Sequence, residues 1–437
     1  MSHPVRHFLI LLAVLTASVF ACLARASGPT VEITLEQQQG GAWRLRYALP
    51  APQRRVDLGP SLAGARARDW RVLTKGVELV SEKGRDWLVP AKRGERLAGI
   101  DIAVTPRANG LMKDYETAAP LGAGAVLYTG HFIPFTENGW RADAVINVRP
   151  RGGGVVSAFG ETAPAFENWI SPQRHPAFIY AGPPVKLSGG AFMEPSVNGW
   201  VREETETLLP GLFAWYSQAF AAPPERAPDM FLAMGDQSEA GRLRYQGDAL
   251  PGQFMITLSG GGWESPANGA RDLLRSGIAH EAAHLWQARA RPSGGDAPDW
   301  IHEGAADALA NEALEGIGLI SHAEAATARA AARYECETEL AGGSLDKAAA
   351  GGRWRAVYAC GHALAVAAAR AHNKEGSVAL FWRDFLAASA ANKGYDLPLF
   401  LSVIEARGGG DVADGIRRFA YSRYAQPARE LAMLAGE

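Results

Sequence analysis

Apolar and polar residues alternate in short runs from residue 30 to about 190. Val31, Ile33 and Leu35 are spaced by Glu32 and Thr34, and Trp43, Leu45, Tyr47 and Leu49 again take every second position. A period of two puts such side chains on one face of a strand. Further strands are predicted at Trp70–Leu73, Val77–Val80, Trp87–Val89, Ile100–Val104, Val126–Tyr128, Ala144–Val148 and Phe178–Tyr180, with Gly, Pro and Asn between them. Many short strands at that spacing predict a sandwich. The period then changes. Leu208, Leu209, Leu212, Phe213, Tyr216 and Phe220 form a broad stripe, which predicts a helix over Val201–Ala221. Pro210 is its kink or its start, and Pro223-Pro224 is its end. Met230–Met234 and Gln253–Leu258 read as short apolar strands. From about Asp296 onward the chain is Ala-rich and helical, punctuated by Gly342-Gly343, Gly351-Gly352 and Gly408-Gly409-Gly410. The pattern predicts a multidomain α+β chain. An all-β, sandwich-like N-terminal domain covers 27–192, a mixed segment covers 193–330, and a helical part covers 331–437.

The first residues carry a different signal. Arg6 precedes an apolar run, Phe8 to Leu23, and Ala24-Arg25-Ala26 has the A-x-A form of a cleavage site. Residues 1–26 therefore read as a secretory signal peptide. The run is too short and wrongly flanked for a stable membrane span. Export is expected, to the periplasm or beyond the cell. Cys22, after Val19-Phe20-Ala21, loosely matches a lipoprotein box, but Phe20 fits it poorly, so a lipid anchor ranks second. Losing Arg6 and Arg25 takes the net charge from −2 to −4. No basic block stands out, which argues against nucleic acid as a partner. No later run reaches membrane length. Cys336 and Cys360 are the cysteines left after processing. In an oxidising compartment such a pair favours a disulfide over two buried thiols.

The chemistry gathers between Gly277 and Leu314. His280-Glu281-Ala282-Ala283-His284 is an H-E-x-x-H pattern, and Glu303 follows His284 by 19 residues in Trp300-Ile301-His302-Glu303-Gly304. For 10 histidines in 437 residues, chance supplies about 0.015 such patterns. Residues four apart lie on one face of a helix, so both imidazoles can point at one ion. Glu281, roughly 100° further round, can lie beside the metal without ligating it, where a general base belongs. A catalytic zinc takes three protein ligands and keeps a fourth position for water. Glu303 is the natural third ligand, brought back on a second helix after a loop from Pro292 to Pro298. Asp307, one turn on, can accept from the outer nitrogen of a ligand histidine. His302 precedes a ligand and should face away from the metal. His131, His175, His322, His362 and His372 have no partners at ligand spacing.

These residues resemble the gluzincin metallopeptidases, and within them the aminopeptidase N and glycyl aminopeptidase families. The shared pattern is H-E-x-x-H-x-W, then W-x-x-E-G, with about eighteen residues between the second histidine and the later glutamate. Trp286 and Trp300 stand at its tryptophans. The likeness is clear over roughly residues 255 to 365. It implies a gluzincin (thermolysin-like) catalytic domain over 193–330, one Zn2+ ion, a peptide or protein substrate and an all-β domain before the site. The run Ser259-Gly260-Gly261-Gly262-Trp263-Glu264-Ser265 is similar to the families' G-x-M-E-N and G-G-L-E-H segments. By that resemblance Gly261 and Gly262 would admit a peptide backbone and Glu264 would bind its free amine. Trp263 and Ser265 depart from the pattern and the spacing to His280 is short, so a plain Gly-rich turn is the alternative. Tyr358-Ala359-Cys360-Gly361 is similar to the families' Y-x-x-G. It implies that Tyr358 donates to the developing oxyanion, a core tyrosine being the alternative. A Cys336–Cys360 bridge would hold the helix of Tyr358 in place. The expectation is an exported zinc metallopeptidase, first an aminopeptidase. An endopeptidase and a non-catalytic zinc- or peptide-binding protein are the other readings.

Overall fold

The computed structural model describes residues 30–108, 114–172, 175–185, 190–224, 228–290, 297–392 and 394–436. The expected signal peptide at 1–26, Cys22 and residues 292–296 of the predicted loop lie outside them. The chain divides into two compact units.

The first unit takes in residues 30–106, 129–156, 164–172 and 175 and holds two sheets. The larger runs Phe166–Trp169, Ala144–Arg149, Val31–Gln37, Trp43–Gln53, Leu97–Val104, Trp70–Val72 from edge to edge. Its register follows the period-two pattern. Trp43, Leu45 and Tyr47 pair with Val104, Ile102 and Ile100, and all six side chains are buried on one face. On the other face Arg44 and Arg46 both reach Asp101, at 2.7 and 3.0 Å. The smaller sheet runs Val56–Pro60, Arg85–Pro90, Val77–Glu82.

The second unit contains most of a five-stranded sheet, ordered Glu161–Ala163, Val155–Ala158, Phe178–Gly182, Gly124–Tyr128, Ala118–Leu121. It also contains the sheet beside the candidate site, ordered Ala191–Met193, Asp229–Met234, Gln253–Ser259, Arg244–Leu250. The first three of these strands are parallel, and Arg244–Leu250 closes the edge antiparallel. Nine helices carry the rest of this unit among the described residues: α1 (Gly199–Ala219), α2 (Ala270–Gln287), α3 (Asp299–Gly316), α4 (His322–Leu340), α5 (Trp354–His372), α6 (Val378–Asn392), α7 (Leu397–Glu405), α8 (Gly410–Tyr421) and α9 (Pro427–Leu434). The predicted helix at Val201–Ala221 is α1, which runs through Pro210 rather than starting there. A β-rich first part and a helical last part agree with the α+β class read from the sequence.

Helices α2 to α5 share one apolar core with α1 and the last sheet. Two glycines set the closest crossing. A Cβ on Gly361 of α5 would overlap the Trp300 carbonyl, and one on Gly304 of α3 would overlap the backbone of Gly361. Cys336 of α4 and Cys360 of α5 are joined as a disulfide. Glu312 of α3 accepts from the Ser377 hydroxyl at 2.6 Å and from the Val378 amide at 2.7 Å, so it caps the start of α6. No helix among the described residues is long and apolar enough to cross a membrane.

Candidate metal centre and active site

The helix that carries H-E-x-x-H starts after Gly269, whose φ of +80° suits glycine, and has Asp272 in its first turn. From Gly277 to Gln287 every side chain is buried. A helix buried on all sides is held by its neighbours. The Tyr216 hydroxyl donates to the Ala279 carbonyl at 2.9 Å, and Trp286 Nε1 donates to the Ala222 carbonyl at 2.9 Å. These contacts fix where along its axis α2 presents His280 and His284.

Helix α3 brings Glu303 to the same point. Ligand atoms of His280, His284 and Glu303 all lie within 4.8 Å of one another. The two Nε2 atoms are 3.1 Å apart, and Glu303 Oε2 stands 3.5 and 3.6 Å from them. The far nitrogens are both engaged. His280 Nδ1 is 2.6 Å from Asp307 Oδ1, and His284 Nδ1 is 2.7 Å from Gln287 Oε1. Gln287 Nε2 donates to the His302 carbonyl at 3.1 Å, which turns the amide oxygen toward His284. With a cation at the centre, both Nδ1 atoms would carry the proton and both Nε2 atoms would turn a lone pair to it. Two lone pairs and a carboxylate oxygen at this range repel unless a cation lies between them. Four-coordinate zinc, with bonds of about 2.0–2.1 Å, sets neighbouring donors roughly 3.3 Å apart. The donor set and its spacing fit. Burial pushes His280 down, but Asp307, Glu303 and Glu281 outweigh it and hold the imidazole well above its ordinary value. The centre thus favours positive charge, which a divalent ion supplies as well as a proton does.

Around these donors stand the other predicted residues. Glu281 is buried, and its carboxylate packs on Gly247 of the edge strand, where a Cβ would overlap it. Tyr358 of α5 has its ring 5.7 Å from that of His280 and its hydroxyl within the influence of the Glu303 carboxylate. The glycine crossing produces this meeting, since Glu303 precedes Gly304 and Tyr358 lies one turn before Gly361. Burial, then Glu303, Glu281 and Asp307, push the Tyr358 phenol far up, so it stays a proton donor.

The Gly-rich segment is tied to the loop before the edge strand. The amides of Gly261 and Gly262 donate to the carbonyls of Glu239 and Arg242, both at 2.8 Å. Trp263 is fully buried, whereas Glu264 is exposed and makes no hydrogen bond or ion pair among the described residues. Beside the site runs the edge strand Arg244–Leu250, with the Tyr245 ring seated on Gly277 of α2. Burial pushes the phenols of Tyr115 and Tyr245 up, and Asp248 on this strand and Glu281 add to it. This strand escapes a periodicity search because Gly247 and Asp248 are poor strand formers. Gln287 carries no motif of its own, and its spacing of three from His284 is its one readable signal. His302 turns its ring onto His284, stacked at 4.6 Å, with Tyr395 Oη 3.3 Å from its Nδ1.

No protein-family model matches the chain, and no curated protein matches it. Solved structures do. An aminopeptidase N family protein from Idiomarina loihiensis superposes with a TM-score of 0.64 at 11% identity, over 92% of this chain and 78% of that one. Yeast LTA4 hydrolase in complex with bestatin superposes with a TM-score of 0.54 at 13% identity, over 91% of this chain and 68% of that one. At these identities the likeness is one of fold: this chain shares the architecture of the aminopeptidase N family protein and of LTA4 hydrolase.

Proposed function

We propose that this chain is an exported zinc-dependent metallopeptidase. The observation that carries the reading is the convergence of His280 Nε2, His284 Nε2 and Glu303 Oε2 on one point beside the buried carboxylate of Glu281. A zinc ion held there supplies Lewis acidity, which polarises a carbonyl and brings water near its working pKa. Asp307 and Gln287 keep both ligand imidazoles in the tautomer the ion needs. Glu281 takes the proton from water and returns it to the leaving amine. Tyr358, held protonated, donates to the oxygen that gains charge at the scissile carbonyl. The antiparallel strand Arg244–Leu250 is the edge of its sheet among the described residues, and an extended peptide can lie along that edge.

Aminopeptidase selectivity needs a carboxylate for the substrate's ammonium. Glu264 and Asp248 are the candidates, and the placement of Asp248 on the edge strand supports Asp248. The test is a digest of a peptide library by the full chain, with and without chelator, read by mass spectrometry. Chelator-sensitive cleavage that is lost in Glu281→Gln, with metal content retained, is expected. Cleavage that survives Glu281→Gln refutes the mechanism. Comparing free and N-acetylated peptides separates exopeptidase from endopeptidase. Weaker preference for the free form in Asp248→Asn, but not in Glu264→Gln, would place the ammonium. A protein that binds zinc and cuts nothing is a binding protein.

A further inference from the structure

The two ligand imidazoles are not held alike. His280 meets a carboxylate, its Nδ1 standing 2.6 Å from Asp307 Oδ1. His284 meets a neutral amide, its Nδ1 standing 2.7 Å from Gln287 Oε1. Hydrogen bonds to an ionised partner are roughly twice as strong as neutral ones, so His284 is the less firmly held of the pair. One bond at Nδ1 also fixes only one corner of the ring. The plane can tilt about that corner, and the Nε2 lone pair lies in the ring plane, so a tilt carries it off the metal. His284 therefore needs a contact on its face.

His302 supplies that contact. Its ring lies nearly parallel to that of His284, with centroids 4.6 Å apart and planes 11° from each other. It faces a metal ligand rather than away from the centre. Its own place is set from two sides. Tyr395 Oη lies 3.3 Å from His302 Nδ1, and Trp382 stands edge-on, 6.3 Å away at 72°. Both of those side chains are buried. His302 acts on His284 a second time through its backbone. Its carbonyl accepts from Gln287 Nε2 at 3.1 Å and so orients the amide that meets His284 Nδ1. His302 and Glu303 share the first turn of α3, so one turn supplies one donor and braces another that α2 carries.

We propose that His302 is a positioning residue for the metal centre: its ring braces the face of His284 and keeps Nε2 aimed at the ion. The inference rests on the metal reading of His280, His284 and Glu303. His302 is outside that donor set. It works through the orientation of His284, and the brace is the flat ring rather than its nitrogens, so a phenyl ring should serve in its place. The W-x-x-E-G pattern leaves this position open, and nothing in the pattern asks for a ring there.

Two measurements on the full chain test it, each on the wild type, His302→Ala and His302→Phe. Zinc affinity is read by competition with a chelating indicator. Cobalt(II), which accepts the same nitrogen and carboxylate donors, is then exchanged for zinc, because its visible absorption reports how the donors are arranged. His302→Ala should bind zinc roughly tenfold more weakly, as losses of outer partners of metal ligands do. It should also shift the cobalt spectrum. His302→Phe should recover the wild-type spectrum and most of the affinity. Unchanged affinity and spectrum in His302→Ala overturn the proposal. Weaker binding with a wild-type cobalt spectrum marks a loosened fold instead, and also overturns it, as does a shifted spectrum that His302→Phe fails to restore. A wild type that binds no zinc overturns the metal centre itself, and the brace with it.

Discussion

Replacing Gly361 by Ala should uncouple the tyrosine from the metal centre. A Cβ there would overlap the Trp300 carbonyl and come within 2.8 Å of the Gly304 Cα. Ordinary spacing for such atoms is about 3.5–4.0 Å, so α5 must retreat from α3 by roughly 1 Å. Backbone lies on both sides, so no side chain can rotate to relieve the overlap. Tyr358 is one turn from the new methyl group and Glu303 is next to Gly304, so the Tyr358–Glu303 approach opens by a comparable amount. A misplacement of about 1 Å can cost on the order of 100-fold in turnover. Overpacking of this kind also destabilises by roughly 1–3 kcal/mol. At an unconstrained helix position the same change stabilises by up to about 1 kcal/mol. Gly211 of α1 supplies that control, because a Cβ there meets Ile317 alone among the described residues, at 3.6 and 3.9 Å. The assay pairs kcat and KM on a cleaved peptide with thermal unfolding of both variants. A lower melting temperature and kcat in Gly361→Ala are expected, with neither lowered in Gly211→Ala. The argument fails if Gly361→Ala melts at or above the wild type and turns over within threefold of it.

Gly247→Ala should displace the Glu281 carboxylate and lower kcat by at least about 100-fold with bound zinc unchanged; zinc lost in step with activity would point to a collapsed centre instead. Replacing both Cys336 and Cys360 by Ser frees a loop of sequence separation 24. By chain entropy that should cost about 3.5 kcal/mol, seen as a lower denaturation midpoint; an unchanged midpoint argues against the bridge. Glu312 gives a pH-dependent test. Burial raises its pKa despite its bonds to Ser377, Val378 and Ala379. A carboxyl raised in the fold contributes stability below its ordinary range that is lost as pH climbs through the folded value. The stability of wild type relative to Glu312→Gln should therefore fall as pH rises above the ordinary carboxylate range. A difference that grows with pH would reverse the assignment.

The sequence revealed most where a period or a spacing maps directly onto geometry. Trp43, Leu45 and Tyr47 alternate and share a buried face. His280, His284, Glu303 and Asp307 obey the four-residue rule on two helices, and the fold brings them to one centre. What stayed hidden depends on neighbours far along the chain. Arg244–Leu250 is a strand because Gln253–Ser259 pairs with it, not because its own residues favour one. Its Gly247 reads as a turn signal, yet the glycine is there to admit Glu281. The triple glycine at 260–262 reads as a substrate edge by resemblance, and its amides donate to the carbonyls of Asp236, Glu239 and Arg242. Composition alone does not distinguish a glycine that admits a ligand from one that admits a loop.

The three donors come from two helices rather than one, and this has a thermodynamic consequence. An ion bound to His280, His284 and Glu303 fastens α2 to α3, so occupancy and folding are linked quantities. At a free ion concentration a thousandfold above the dissociation constant, that linkage adds about 4 kcal/mol to the unfolding free energy. A melting curve recorded against buffered zinc therefore doubles as a titration of the centre. Unfolding would be set by the supply of metal in whichever compartment the chain occupies.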